Sequence, residues 1–148
     1  MAKKSSVDQL NSFLRGELSA VETYRMALDK LDRMSPTRAE LEACLASHHE
    51  RVTALREAII AIGGKPSDSS GPWGAFAKAV EGTAKVFGDK AAIAALEEGE
   101  DHGLRDYKDE LDDTDLDFQS KSLLMSRLLP AQQATHDRMS NLKRTLKS

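Results

Sequence analysis

A glutamate followed seven residues later by a tyrosine occurs twice in the chain, each time directly after a glycine. The first copy is Gly16-Glu17 with Tyr24, and the second is Gly99-Glu100 with Tyr107. Seven residues are about two turns of an α-helix, so each glutamate shares a helix face with its tyrosine. A carboxylate and a phenol repeated in this way indicate a duplicated helical unit with a polar centre.

A histidine followed by an acidic residue and an arginine also occurs in each half. The segment that begins His49-Glu50-Arg51 matches, in residue type at seven of eight positions, the segment that begins His136-Asp137-Arg138. Together with the glutamate and tyrosine repeat, this second echo indicates two copies of one helical hairpin with pseudo-twofold symmetry.

The composition predicts a single all-α domain. The chain has 148 residues, enough to bury a core without disulfides, and only 5% of them are aromatic. The net charge of −3 gives no basic surface for nucleic acid. There is neither an apolar run of membrane-spanning length nor a signal-peptide core, so we expect a cytoplasmic protein with no membrane partner. The one cysteine, Cys44, lies among apolar residues and is expected to be buried.

The spacing of apolar residues predicts a first helical hairpin over residues 7–62. From Leu10 to Leu31 they recur at alternating steps of four and three, and Glu17 is the only charged member of this stripe. Ser35-Pro36-Thr37 ends the first helix, and Thr37 followed by Glu40 predicts a capping box for the second. The short link requires antiparallel packing, and Gly63-Gly64 is typical of a helix C-terminus.

A long crossover is predicted over residues 63–88. It begins with a loop rich in Ser, Pro, Asp and Gly and continues into a weakly helical stretch, from which we predict a short helix. Trp73 and Phe76 of this stretch either cover the core or contact a second subunit. The second interpretation predicts a homodimer.

A second hairpin is predicted over residues 89–147. Asp89 is the expected cap of the third helix, and Asp112-Asp113-Thr114-Asp115 forms the expected turn. The fourth helix runs to about Leu146, and Pro130 should kink it or delay its regular start.

Each of the four predicted helices has one glutamate or histidine on its inward stripe. An ionisable group buried without a partner costs several kcal/mol, so these four need one another, water or a cation. Carboxylates and imidazoles around one centre are ligands for iron, manganese or zinc. The candidate ligands are Glu17, His49, Glu100 and His136, with Tyr24 and Tyr107 within hydrogen-bonding range of the centre.

Other ligand assignments stay open at this point. His48 directly precedes one candidate histidine and is an alternative for the inward position, Glu50 lies at the edge of the stripe, and Gln133 is a further alternative on the fourth helix. Glu98 and His102 are four residues apart, which favours a hydrogen bond along the helix surface over a metal pair.

The chain resembles the ferritin-like superfamily, which includes rubrerythrin and bacterioferritin. The resemblance rests on the two glutamate and tyrosine pairs, the histidines on the second and fourth helices, and the long crossover. The phrases Gly63-Gly64-Lys65-Pro66, Glu98 to His102 and His136-Asp137-Arg138 carry a closer resemblance, over essentially the whole chain, to a bacterial four-helix-bundle family of unknown function. It implies a ferritin-like bundle of two antiparallel hairpins joined by a crossover, with a rubrerythrin-like, stress-associated role.

The chain departs from the di-iron pattern of the ferritin-like superfamily by lacking two carboxylates. A full di-iron site takes a Glu from each of two helices and a Glu-x-x-His from each of the other two. Ala46 stands three residues before His49, and Gln133 stands three residues before His136. Two functions are therefore expected: a bundle that binds one metal ion, or a non-enzymatic structural or interaction protein, a homodimer, with a vestigial polar layer.

Overall fold

The structure is a computed structural model that describes residues 2–31, 34–71, 78–79, 82, 88–112 and 116–147. Regular structure in these ranges is helical throughout, and no strand occurs in them. The all-α prediction is confirmed.

Four long helices make up the described fold. The first three are α1 at Ala2–Lys30, α2 at Arg38–Ala61 and α3 at Asp89–Leu111. The fourth, α4, has three consecutive sections, which are α-helical at Phe118–Leu123, π-helical at Leu124–Leu128 and α-helical at Leu129–Lys147. Packing is most extensive between α1 and α2 and between α3 and α4, while α2 also packs against α4.

The predicted inward stripe of α1 is buried along its whole length, including its one charged residue. It consists of Leu10, Leu14, Glu17, Val21, Tyr24, Leu28 and Leu31. Burial follows the helical period because residues three and four apart lie on one face of the helix.

The link between α1 and α2 differs from the predicted capping box. Thr37 stands at the N-cap of α2 but has helical dihedral angles, and its side chain accepts no hydrogen bond from the helix N-terminus. Its hydroxyl is bound to Ser35 Oγ at 2.8 Å instead. Arg38 donates to the backbone oxygen of Leu28 at 2.8 Å and so satisfies a carbonyl near the end of α1.

The prediction for the end of α2 is confirmed. Gly63 has φ +84°, and its N–H donates to Ile60 O at 3.0 Å, while the N–H of Gly64 donates to Ile59 O at 2.9 Å. A left-handed glycine that closes the last turn in this way satisfies carbonyls that the helix leaves free.

The crossover is described only in part. Trp73 and Phe76, with most of the predicted short helix, lie outside the described residues, as do residues 113–115 of the predicted turn. The cap of α3 is Gly88, which has φ +86°, and the predicted cap Asp89 is instead the first helical residue. A left-handed backbone at this position favours glycine.

Pro130 is accommodated inside α4 without a break. A proline has no N–H to donate and its ring crowds the preceding turn, and here the wider π-helical turns at Leu124–Leu128 directly precede it. The N-terminus of α4 is capped by Asp117, which accepts a bond from Ser120 N at 2.7 Å.

Two apolar clusters form the core, with a polar layer between them. One cluster contains Leu14 of α1, Leu55 of α2 and Leu128 of α4, and the other contains Leu28 of α1 and Met139 of α4. Within the described residues, no helix is both long and apolar enough to cross a membrane.

Candidate functional site

His48 of α2 lies at the centre of the polar layer, between two glutamates from different hairpins. It is 2% exposed, with Nδ1 at 2.5 Å from Glu17 Oε1 and Nε2 at 2.7 Å from Glu100 Oε2. Burial by itself would lower the pKa of His48. The charges of the two glutamates together outweigh burial, and the pKa of His48 lies above its ordinary value. Both ring nitrogens therefore donate, and the side chain is an imidazolium.

Arg51, one turn after His48, is the second buried cation of the layer. It is 3% exposed, and its Nη1 donates to Gln132 Oε1 and lies 3.4 Å from Glu17 Oε2. Its Nη2 donates to Thr135 Oγ1 at 3.0 Å. Burial by itself would lower the pKa of Arg51. The negative charges around it, led by the Glu17 carboxylate, together raise the pKa above its ordinary value, so the guanidinium stays charged.

The two tyrosines bind the glutamates crosswise. Tyr24 donates to Glu100 Oε2 at 2.6 Å, and Tyr107 donates to Glu17 Oε2 at 2.5 Å. Two helical turns separate a tyrosine from the glutamate of its own helix by about 10 Å, so each ring reaches the opposite hairpin instead. Burial, together with the facing carboxylates, raises the pKa of both phenols and keeps them protonated as donors.

Gln132 and Thr135 of α4 complete the shell around Glu100. Gln132 Nε2 donates to Glu100 Oε1 at 2.8 Å and to the Glu100 backbone oxygen at 2.9 Å, and Thr135 Oγ1 donates to Glu100 Oε1 at 2.7 Å. Each carboxylate oxygen of both glutamates thus accepts at least one hydrogen bond. We call these eight residues the inner network; they are Glu17, Tyr24, His48, Arg51, Glu100, Tyr107, Gln132 and Thr135.

The inner network is electrically balanced, because two carboxylates face one imidazolium and one guanidinium. Burial by itself would raise the pKa of Glu17. The interactions led by Arg51 and His48 together outweigh burial and lower the pKa to about 2. Burial raises the pKa of Glu100, but the charge of His48 and the hydrogen bonds from His48, Tyr24 and Thr135 together lower it below its ordinary value. Both glutamates are therefore ionised at neutral pH.

The structure brings together only part of the predicted metal set. Glu17 and Glu100 both contact His48, but His49 lies on the exposed face of α2, where Nε2 is 3.1 Å from Arg25 Nη2. The open alternative His48 holds the inward position, because it continues the buried stripe of α2, whereas His49 is rotated about 100° away from it. The alternative Glu50 is exposed beside it.

His136 is also absent from the inner network, contrary to the prediction. Its side chain is 18% exposed, with Nε2 bound to Asp101 Oδ1 and Nδ1 at 3.3 Å from Asp137 Oδ1. With Glu97 and Asp101 it forms the one group of described residues whose potential metal-ligand atoms all lie within 4.8 Å of one another. Gln133 likewise faces outward and donates to Asp137 at 2.9 Å.

Three members of the inner network were not predicted as site residues. Gln132 lies four residues before His136, on the face of α4 that was predicted to point inward, but an uncharged amide is not a typical metal ligand. Arg51 lies one turn beyond His48 on the same face, and once His48 is placed inside, this spacing is the signal for it. Thr135 carries no comparable signal.

A cleft of about 640 Å³ between α1 and α3 leads down to the inner network. Its walls include the small residues Gly16 and Ala20 on α1 and Gly99 and Gly103 on α3. Glu17, His48 and Glu100 are among the residues at its floor.

The family described as "Domain of unknown function (DUF2383)" matches residues 5–113. This segment contains α1 to α3 and six of the eight residues of the inner network, whereas Gln132 and Thr135 of α4 lie beyond it. Comparisons with curated proteins and with solved structures gave no match.

Proposed function

The chain belongs to this family of domains of unknown function, and we propose that it is a non-enzymatic, ferritin-like helical protein whose inner layer holds its charges without a metal ion. The observation that carries the proposal is the position of Arg51. Its guanidinium lies where the carboxylate of Glu17 meets the polar groups of α4.

Charge balance supports this proposal. His48 and Arg51 together supply the two positive charges that a divalent cation would bring, and every carboxylate oxygen already accepts a hydrogen bond. A metal ion would have to displace a buried guanidinium from its carboxylate, and breaking a buried ion pair costs about 3–5 kcal/mol.

The residues at the positions of the Glu-x-x-His motifs support it as well. With His48 facing inward, the motif on α2 reads Leu45-x-x-His48, and on α4 the inward pair is Gln132-x-x-Thr135. A di-iron site needs a glutamate and a histidine at each pair. Leucine offers no ligand atom, and the amide and hydroxyl carry no negative charge.

A single metal ion bound by Glu17, His48 and Glu100 is the second candidate. One observation favours it, which is that both carboxylates converge on one imidazole at 2.5 and 2.7 Å. Iron, manganese or zinc could bind here only if His48 lost its proton and turned one nitrogen towards the ion.

Elemental mass spectrometry of untagged protein, purified without chelator, tests the two candidates. Our proposal expects no stoichiometric metal and no uptake of added ferrous iron. About one equivalent of metal in the unmodified chain that is lost in a Glu17→Ala/Glu100→Ala double variant would overturn the proposal. A His136→Asn variant is the control, because metal lost only there would lie at the surface group with Glu97 and Asp101.

The expected homodimer also remains a proposal, since it rests on Trp73 and Phe76. Light scattering after size exclusion, across a wide concentration range, measures the assembly state directly. A Trp73→Ala/Phe76→Ala variant that becomes monomeric would support a role for the crossover as an interaction surface.

A further inference from the structure

The cleft between α1 and α3 follows from the small residues on its two walls. Gly16 and Ala20 share one face of α1, and Gly99 and Gly103 share one face of α3, because each pair is four residues apart. The two helices make few contacts with one another, in contrast to the close packing inside each hairpin.

Gly16 has no packing reason to be a glycine. A Cβ built on it would meet no atom within 4 Å, whereas a Cβ on Gly103 would come within 2.7 Å of Gln132 Nε2. A glycine inside a helix costs roughly 1 kcal/mol relative to alanine. The absent side chain at Gly16 leaves the cleft open, and this gives the glycine in the Gly16-Glu17 repeat a physical role.

The walls of the cleft combine apolar surface with excess negative charge. Phe13 packs edge to face on Tyr107 with ring centroids 4.7 Å apart, and the partly exposed Ala20 adds aliphatic surface. The charged wall residues outside the inner network are one arginine, Arg105, and four acids, which are Glu98, Asp106, Asp109 and Glu110.

All four of these acids lie on α3, so the negative charge of the cleft is concentrated on one wall. Asp106 is 3.6 Å from His102 Nε2, one turn earlier. Burial and the nearby Asp109 carboxylate nevertheless raise the pKa of Asp106 above its ordinary value, against the effects of His102 and Arg105. A positive charge placed in the cleft mouth would relieve this repulsion.

We propose that the cleft binds a small organic cation with an alkyl chain, such as a linear diamine or polyamine. The ammonium groups face the carboxylates of α3, and the alkyl chain covers the partly exposed Gly16 and Ala20 of α1. Because the polar groups of the floor are already paired with one another, recognition of charge occurs at the cleft mouth. This inference does not depend on the proposed function, since it requires neither a metal nor its absence.

Isothermal titration calorimetry with spermidine and with 1,4-diaminobutane tests this proposal. We expect saturable binding of one equivalent to the unmodified chain and about tenfold weaker binding to Gly16→Leu, whose side chain fills the open space. Ala46→Leu adds the same side chain at an exposed position of α2 and should leave the affinity unchanged. 1,4-Butanediol, which has the same chain without charge, should give no heat of binding.

Binding of equal strength to Gly16→Leu and Ala46→Leu would overturn the proposal, because it would mean that amines condense on the acidic surface without entering the cleft. Absence of saturable heat with both amines would also overturn it. If Gly16→Leu does not fold by circular dichroism, Glu98→Gln/Asp109→Asn replaces it. Both of these residues are exposed, and we expect the same tenfold loss of affinity.

Discussion

The hydroxyl of Tyr24 donates a hydrogen bond to Glu100, which lies in the other hairpin. The hydroxyl of Tyr107 donates the corresponding hydrogen bond to Glu17 at 2.5 Å. Each hairpin therefore supplies a buried carboxylate and the phenol that its counterpart needs. Neither hairpin alone can satisfy its own glutamate in this way, so the two halves of the repeat are joined through their polar centre.

The crossed pairs predict equal losses of stability for two matched variants. Tyr24→Phe and Tyr107→Phe each keep the ring and remove one bond to an ionised acceptor, and each should lower the free energy of unfolding by about 1.5–3 kcal/mol. Urea unfolding followed by circular dichroism measures this loss. Because both pairs meet at His48, the double variant should deviate from additivity by about 0.5 kcal/mol or more.

Ser126→Ala is the control for the tyrosine variants. Its exposed hydroxyl donates to Ser122 O within the same helix at 2.7 Å, so its removal should change stability by less than about 0.5 kcal/mol. Tyrosine variants that behave like this control would mean that the crossed bonds do not stabilise the fold.

The charge balance of the inner network predicts that removing the charge of Arg51 strongly lowers stability and that a divalent ion partly restores it. Arg51→Met keeps much of the side-chain volume and leaves the carboxylates with one uncompensated charge, which should cost about 3–5 kcal/mol. A divalent ion can supply the missing charge, so millimolar Mn²⁺ should raise the melting temperature of this variant and leave that of the unmodified chain unchanged.

Arg138→Met is the matched control for Arg51. Arg138 pairs with Glu40 at 2.6 Å, but its side chain is about half exposed, and such surface pairs contribute about 0–1 kcal/mol. Equal stability of the two methionine variants would contradict a structural role for the buried guanidinium.

The glutamates and tyrosines singled out in the sequence all lie in the inner network, whereas His49 and His136 lie one residue away from the inward positions, and His48, the open alternative to His49, holds one of them. His48 and His49 are about 100° apart on α2, as are Thr135 and His136 on α4. Steps of three and four fit either neighbour, and the echo between the two halves favoured the exposed one. What distinguishes the neighbours is which side chain can be buried. His48 can be buried because each of its nitrogens has a carboxylate partner, and Thr135 can be buried because it is small and uncharged and binds Glu100.

The helices themselves were predictable because their apolar stripes are long and regular. The ends of the helices were less so. Thr37 and Asp89 have the residue types of helix caps, but the hydroxyl of Thr37 binds Ser35, and the left-handed Gly88 precedes α3. Such choices depend on local backbone geometry, which residue type alone does not determine.

The inner network predicts losses of stability at both ends of the pH range. The pKa of Glu17 is lowered from 4.5 to about 2 on folding, so its contribution is present above pH 4.5 and disappears as the pH falls towards 2. The pKa of His48 is raised from 6.5, so its contribution is complete below pH 6.5 and decreases as the pH rises through the folded-state value.

Urea unfolding between pH 5 and pH 9 tests the alkaline side of this prediction. His48→Gln should remove part of the decrease in stability above pH 6.5, whereas His49→Gln, on the exposed face of α2, should retain it. If His48→Gln keeps the full slope of the unmodified chain, His48 is not the group whose deprotonation destabilises the fold.

Cys44 should report directly on opening of the core next to Glu100. Its side chain is fully buried, as predicted, and burial, with a smaller contribution from the Glu100 carboxylate, raises the pKa of the thiol to about 12. Only the thiolate attacks a disulfide reagent, so modification at pH 8 should be slow until the chain unfolds locally or globally. A colorimetric disulfide reagent measures the rate with and without urea. The rate without urea should increase in Arg51→Met, which weakens the inner network, and stay unchanged in Arg56→Met, which removes an exposed arginine of the same helix. Fast modification of the unmodified chain would show that the core around Cys44 opens readily.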